Sequence, residues 1–219
     1  MLVAMLMFVV LAAAPATPGV DEVVQRLEAR YHGAQTLQAN FLERYWEGKQ
    51  QVRVESGEVF FSRPNRMRWN YAVPEEKMFL VDGTNVWFYV PADRTATRAK
   101  IRESADWQTP LALILGKVRL SRICGKVELM PPPANSPAGT QQLRCLPKSR
   151  ESPFAEVLFD VDQEYWITRV FIREPGGIST EFRFGNWRKD VPLTEAMFHF
   201  QAPKGVAIVE EGSIAGPVR

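Results

Sequence analysis

Apolar residues recur along this chain at two different periods, and the change of period organises it. In VDEVVQRLEARYHG, residues Val20, Val23, Val24, Leu27 and Tyr31 fall on one face at a spacing of about 3.6. Acidic residues in the first turn and Gly33 at the end predict an amphipathic helix over 21–32. After Gly33 the alternation shortens to two. It predicts strands near 37–45, 57–63, 67–71, 78–81, 86–90 and 97–102, and a second series at 156–161, 167–173, 178–184 and 198–201 with 206–209. The separators carry turn chemistry: Glu47-Gly48, Pro64-Asn65, Pro74-Glu75, Asp82-Gly83, Pro91-Ala92, and EPGGIS with two glycines free to take positive φ. Short strands at this spacing form an antiparallel meander, the material of a sandwich or a barrel.

Two stretches depart from a sheet with one dry face. KMFLVDGTNVWFYV places apolar side chains on both faces of two successive strands, so both faces there must be covered. TPLALILG has Thr109 as an N-cap, Pro110 at the first helical position and Gly116 as a stop, which predicts one short helix. Its interior, Leu111 to Leu115, is apolar all round. Such a helix is either a plug inside a closed core or is buried on one side and meets a ligand on the other.

Composition narrows the classes. With 219 residues, 46% of them hydrophobic, the chain can bury a substantial core as a single domain. It carries 27 basic and 25 acidic residues, a net charge of +2, and so has no overall field to draw in a polyanion; nucleic acid is not an expected partner. MLVAMLMFVVLAAA followed by Ala14-Pro15-Ala16 predicts an export signal cleaved after Ala16, leaving one domain over 17–219. The apolar run is shorter than the roughly 20 residues that span a bilayer, although it has no Lys or Arg in front of it. Cys124 and Cys145 are the two cysteines, on strand-like runs flanking the loop MPPPANSPAGT. In an exported chain they predict a disulfide; two reduced, buried thiols are the alternative, and without neighbouring histidines no metal site is expected.

Candidate chemistry is sparse. His32 and His199 are the two histidines, and neither a nucleophile elbow, a phosphate loop nor a dinucleotide fingerprint occurs. Asp160 and Asp162 in FDVDQEYW read as solvated turn acids. Catalysis and cofactors are therefore not expected. In FFSRPNRMRWNY, Val59, Phe61 and Arg63 share one strand face, while Met67, Trp69 and Tyr71 face away from Arg66, Arg68 and Asn70. Arg63 thus ends a greasy row, either snorkelling to water or holding something there. Arg66 and Arg68 read as a solvated or partner-facing cationic side.

Taken in order, LQANFLERY, GEVFFSRPNRMRWNYAVPEEKMFLVDGTNVWFYVP, QTPLALILG, AEVLFDVDQEYWITRVFI and FHFQAPKGVAIVE resemble the LolA-type periplasmic carriers of outer-membrane lipoproteins. The resemblance implies a mainly β fold with some α, an incomplete antiparallel β-barrel closed by a helical lid over a hydrophobic cavity. It implies a soluble, monomeric periplasmic chaperone that takes lipoprotein acyl chains from an inner-membrane ABC-type exporter to an outer-membrane acceptor. Arg63, in the RPN turn, is then the lid gate. Val59, Phe61, Trp69, Trp87, Leu111, Leu113, Ile114 and Leu115 are expected to line the cavity or lid. The sequence departs from the family at Leu42-Glu43, where Gln is frequent, at Arg66 and Arg68, and at Met67. A lipid- or lipoprotein-sensing module of similar fold is the rival reading, and an enzyme acting on envelope lipids a second one.

Overall fold

The computed structural model describes residues 18–101, 113–114, 119–149 and 151–212. The expected signal at 1–16 lies outside these residues, as do Leu111 and Leu115 and the predicted helical form of 109–116.

Helix α1 (Val20–His32) forms where the periodicity places it and buries Val23, Leu27 and Tyr31. The chain continues through β1 (Thr36–Glu47), β2 (Gln50–Ser62), β3 (Arg66–Val73), β4 (Lys77–Val81), β5 (Asn85–Val90) and β6 (Thr95–Lys100). A one-turn helix α2 (Leu120–Ile123) leads into β7 (Cys124–Met130), β8 (Gln141–Pro147), β9 (Glu156–Val161), β10 (Ile167–Arg173) and β11 (Ile178–Lys189). A 3-10 turn (Glu195–Phe198) and β12 (Ala207–Glu210) follow.

The strands form one open, curved sheet in the order β12-β6-β5-β4-β3-β2-β1-β11-β10-β9-β8-β7. Two antiparallel meanders, one from β1 to β6 and one from β7 to β11, meet where β1 pairs with β11. The mainly β, incompletely closed architecture expected from the sequence is therefore the one found. β12 is the exception to antiparallel pairing, running parallel to β6.

Alternation explains which face is which. On β1, Leu37, Ala39, Phe41 and Glu43 are buried on one face, joined by Val59 and Phe61 of β2, Met67, Trp69 and Tyr71 of β3, and Phe182 and Phe184 of β11. We call this the inner face; α1 lies on it, and its apolar residues form the main core. Gly57 permits the close approach of β2 and β3, since a Cβ there would sit 1.9 Å from the Asn70 carbonyl oxygen. At the EPGGIS hairpin, Gly176 and Gly177 take φ of 89° and 91°, the left-handed region that the turn requires.

Both faces of β4 and β5 are covered, as their pattern demands. Phe79, Val81 and Val86 join the main core, while Met78, Leu80 and Trp87 form a second cluster with Phe60 and Phe198 on the outer face. This corrects one expectation: 198–201 is not a strand. Phe198 ends the 3-10 turn, and with Phe200 it covers the outer cluster instead of joining a ladder. β2 begins earlier than predicted, at Gln50, because its polar first half is held by pairing to β1 rather than by apolar alternation.

Tyr31 ties α1 to the second meander. Its hydroxyl accepts a hydrogen bond from the Ile167 backbone N–H at 2.8 Å, and its ring meets Trp166 and Trp187 edge-on, each 5.7 Å away. The Trp187 indole N–H donates to the carbonyl of the same Ile167 at 2.8 Å. On the far edge Cys124 and Cys145 are disulfide-bonded across the paired strands β7 and β8, as expected.

Replacing Tyr31 by Phe keeps the ring contacts but strands a buried N–H, so the variant should lose about 1–3 kcal/mol of stability, read from the urea midpoint at unchanged m. Cys124→Ala with Cys145→Ala should cost about 3 kcal/mol in the same measurement, and adding a reductant should then change nothing further.

Candidate functional site

The best-built site is where α1 ends against the end of β2. Tyr31, one of the last residues of α1, has a carbonyl with no partner further along the helix, at the end where the backbone dipoles favour a cation. Arg63, one residue beyond β2, supplies that cation: its guanidinium Nη2 donates to the Tyr31 oxygen, and its backbone N–H donates to the Gln35 oxygen at 3.1 Å. The Ala34 N–H donates to the same Tyr31 carbonyl at 3.2 Å. Both ends of Arg63 therefore hold the connection between α1 and β1. The guanidinium is half-buried and ends on a protein carbonyl, which decides against simple snorkelling.

Beside this contact lies a small pocket lined by Ala34, Gln35, Thr36, Leu37, Phe61, Arg63 and Ile114, of about 170 Å³ counting the space open to solvent. Ligand pockets usually measure about 300–1,000 Å³. Leu113 and Ile114 are each 1% exposed, and both belong to the main core. The inner face is thus packed against itself here.

Val59, Phe61 and Trp69 are brought together on this face as the sequence suggests. Phe41 and Trp69 meet edge-on at 4.8 Å, Phe61 lies 6.1 Å from Trp69, and Phe182 approaches Trp69 at 5.4 Å. Trp87 is the correction. It stands opposite Leu80 in the outer cluster, meets the Phe200 ring at a tilt with centroids 4.9 Å apart and donates its indole N–H to Asp82 at 2.9 Å. Strands apolar on both faces give the period no means of choosing between them; the β4–β5 register places Phe88, not Trp87, beside Phe79. Phe41, Phe88 and Phe182 were the inner-face aromatics to name, and period-two extension from Trp69 across the ladder finds the first and third.

Arg66 and Arg68 are partly buried and have partners within the chain. Arg66 pairs with Glu195 at 3.0 Å and lies over the Phe198 ring, and Arg68 donates to the Met197 carbonyl at 2.9 Å and to Asn70 at 2.8 Å. Together they strap the 3-10 turn onto the outer cluster. Of the acid pair in FDVDQEYW, Asp162 is the turn residue expected, accepting from the N–H groups of Glu164 and Trp166 at 2.9 and 2.8 Å. Asp160 instead is buried and accepts from Gln142 at 2.7 Å.

One polar group interrupts the inner face. Glu43 continues the row Leu37, Ala39, Phe41 and is 1% exposed. The Tyr71 hydroxyl donates to its Oε2 at 2.8 Å. Burial, with the nearby Glu55 charge, raises the Glu43 carboxyl to about 7, more than the Tyr71 hydrogen bond lowers it. Among the described residues, no group of three or more His, Cys, Asp or Glu could hold a metal ion.

Comparison with known proteins gives the family. The profile of the family "Outer membrane lipoprotein carrier protein LolA" matches residues 32–201. The outer-membrane lipoprotein carrier protein of Nitrosomonas europaea is 27% identical over 189 residues, 86% of this chain and 89% of that protein. That of Chromobacterium violaceum is 27% identical over 205 residues, 94% of this chain and 96% of its own. Among solved structures, a conserved protein of Thermus thermophilus described as uncharacterized shares the fold at a TM-score of 0.56 and 14% identity, covering 87% of this chain and 98% of that one. The match spans most of the sheet and the Arg63 turn, and the chain belongs to the LolA family of outer-membrane lipoprotein carrier proteins.

Proposed function

We propose that this chain is a periplasmic carrier that shelters the acyl chains of lipoproteins on its inner face and releases them under the control of Arg63. Family membership goes with a periplasmic location. The observation that carries the mechanism is the Arg63 guanidinium on the Tyr31 carbonyl, beside a pocket walled by Phe61 and Ile114.

The physics suits a latch. Each lipid CH₂ taken out of water is worth about 0.8 kcal/mol, so acyl chains need an apolar shelter to cross an aqueous space. The packed inner face offers that shelter only after α1 lifts, exposing the row around Trp69 and Phe182. A hydrogen bond from a charged donor is worth about 1.5–3 kcal/mol, enough to favour the closed arrangement and small enough for a few methylenes to overcome. Release then regains the Arg63 contact, and the cargo moves on to a surface that holds it more tightly. On this reading the cargo comes from an inner-membrane ABC-type exporter and goes to an outer-membrane acceptor. The protein acts on its cargo by binding and not by catalysis, so Val59, Phe61 and Trp69 serve as lining and no residue need serve as a nucleophile.

Arg63→Leu should still take up a diacylated lipopeptide but pass it to acceptor-bearing vesicles at least tenfold more slowly than the wild type, because closure no longer competes with the cargo. The measurement is transfer of a labelled lipopeptide after loading. Normal transfer by the variant would remove Arg63 from the mechanism. Mass spectrometry of lipids and proteins copurifying with the wild type tests the reading as a whole: intact lipoproteins support it, and free lipids alone would point to a sensor or shuttle.

A further inference from the structure

The inner face is apolar along its aromatic row and then, at Glu43, turns acidic. Glu43 lies on β1 directly opposite Glu55 of β2, and both are buried, at 1% and 6% exposed. Two like charges facing each other across a ladder repel, so the surrounding groups decide which acid is compensated. They favour Glu55. Lys77 of β4 pairs with Glu55 at 2.5 Å, and the Arg53 guanidinium approaches it at 3.3 Å. Glu43 receives the Tyr71 hydroxyl on Oε2, while among the described residues its Oε1 has no hydrogen-bond partner; Arg53 Nη2 stands 3.8 Å away. Among the described residues the charged and titratable neighbours are Arg53 and Glu55 on β2, Tyr71 on β3 and Lys77 on β4. On β11 the residue opposite Glu43 is Phe182, which carries no charge.

A carboxyl so placed is a hydrogen-bonding group held within an apolar surface, next to the rings that would meet an acyl chain. Tyr71 touches Phe41 edge-on at 4.9 Å, and Phe41 touches Trp69. We propose that Glu43 is a proton-linked cargo contact: as the neutral acid it donates its O–H to an ester or amide carbonyl at the head of the acyl chains, and its ionisation opposes loading. This rests on the carrier reading above. It adds to Arg63, which governs closure, a second polar residue that recognises the linkage carrying the chains.

The sign follows from linkage. The free protein holds the Glu43 carboxyl at about 7, with burial as the largest cause. Glu43 is already buried, so the added effect is the hydrogen bond to a carbonyl, which only the neutral form can donate; loading therefore raises the pKa further. Binding therefore takes up a proton above pH about 7. Affinity is greatest below that value and falls as pH rises through it, by at most tenfold per pH unit until the loaded form also ionises.

The test uses the mature protein and a short-chain S-diacylglyceryl-cysteinyl peptide, N-acetylated, amidated and without titrating side chains. Its Kd is measured by calorimetry from pH 6 to 8.5. The wild type should bind at constant Kd near pH 6 and weaken severalfold or more by pH 8.5. Glu43→Gln, which keeps an N–H donor and cannot ionise, should bind tightly at every pH. Glu43→Leu should be equally flat but several times weaker. A Glu43→Gln profile that follows the wild type would overturn the proposal, as would a wild type that binds equally well across the range. Absence of binding by the wild type at any pH would instead overturn the carrier reading on which it rests. Should the variants fail to fold, the carboxyl ¹³C titration of Glu43 in the wild type decides: a midpoint raised by lipopeptide supports the contact, and one unmoved by lipopeptide rejects it.

Discussion

Everything on the inner face depends on how α1 is held against a sheet built from two meanders, and Tyr31 does most of the holding. Its hydroxyl and ring belong to the second meander through Ile167, Trp166 and Trp187, while its carbonyl belongs to the first through Arg63. The two attachments differ in kind. The side chain is fully buried, and burial pushes its phenol far above the usual range, so on that side Tyr31 remains a neutral part of the core. The carbonyl contact is half-buried, made to a flexible charged side chain, and adjoins a pocket. The Tyr31 hydroxyl and its Ile167 partner are buried, whereas the Arg63 contact is only part-buried.

The outer face meets the same need for cover without a helix, and it does so in two ways. Over β3 to β5 it is apolar and takes the strap of residues 195–200, fastened by Arg66 and Arg68. Over β1 and the second meander it is ionic. Glu181 of β11 accepts from Arg44, Arg169 and Arg183, and although burial raises its carboxyl, these hydrogen bonds together hold it below the ordinary carboxylate range. Arginine stems lie over the sheet there, and the Arg44 and Arg183 side chains are 32% and 55% exposed. Val157, Phe159, Val170 and Phe182 sit in the core on the inner side, while Phe171 stays on the outer face beneath Arg169 and Arg173, whose guanidinium groups lie over its ring.

Legibility in the sequence followed the same division. Where one face is wet, alternation placed strands and faces correctly: Phe182 and Phe184 inward and Glu181 and Arg183 outward could be read from ISTEFRF alone. Where both faces are dry the period is silent, and Trp87 was assigned to the wrong side. Arg63 could be singled out because it ends an apolar row, yet its acceptor, a helix carbonyl more than thirty residues earlier, has no sequence signature. Arg66 and Arg68 were legible as a cationic side but not as anchors, because the strap they hold lies about 130 residues downstream. Phe198 is the instructive failure: its alternating neighbours read as a strand, but they pack on the back of the sheet instead of extending it. Glu43 was visible only as a departure from a familiar position. What makes it notable, the opposing Glu55 and the shared Lys77 and Arg53, exists only once the ladder is paired.

Arg63 and Glu43 are polar groups at opposite ends of one greasy surface, and their placement follows from what a carrier requires. A purely apolar inner face would either stay shut, since Leu113, Ile114 and α1 already satisfy it, or, once opened by acyl chains, hold them too well to release them. Area burial cannot supply both states, because it rewards any apolar contact alike, whether with α1 or with a lipid. Directional interactions discriminate between the two. On the proposed reading, the Arg63 contact exists only when α1 is down, so it favours the empty form without weakening the lipid's own contacts. A buried carboxyl with one oxygen unbonded is the converse: it costs the closed form something, and a guest bearing the right acceptor recovers it. On the proposed reading, the balance between sheltering and surrendering the cargo is set by a few hydrogen bonds at the margins of the hydrophobic surface, where changes of about 1 to 3 kcal/mol shift populations by factors of about five to more than a hundred.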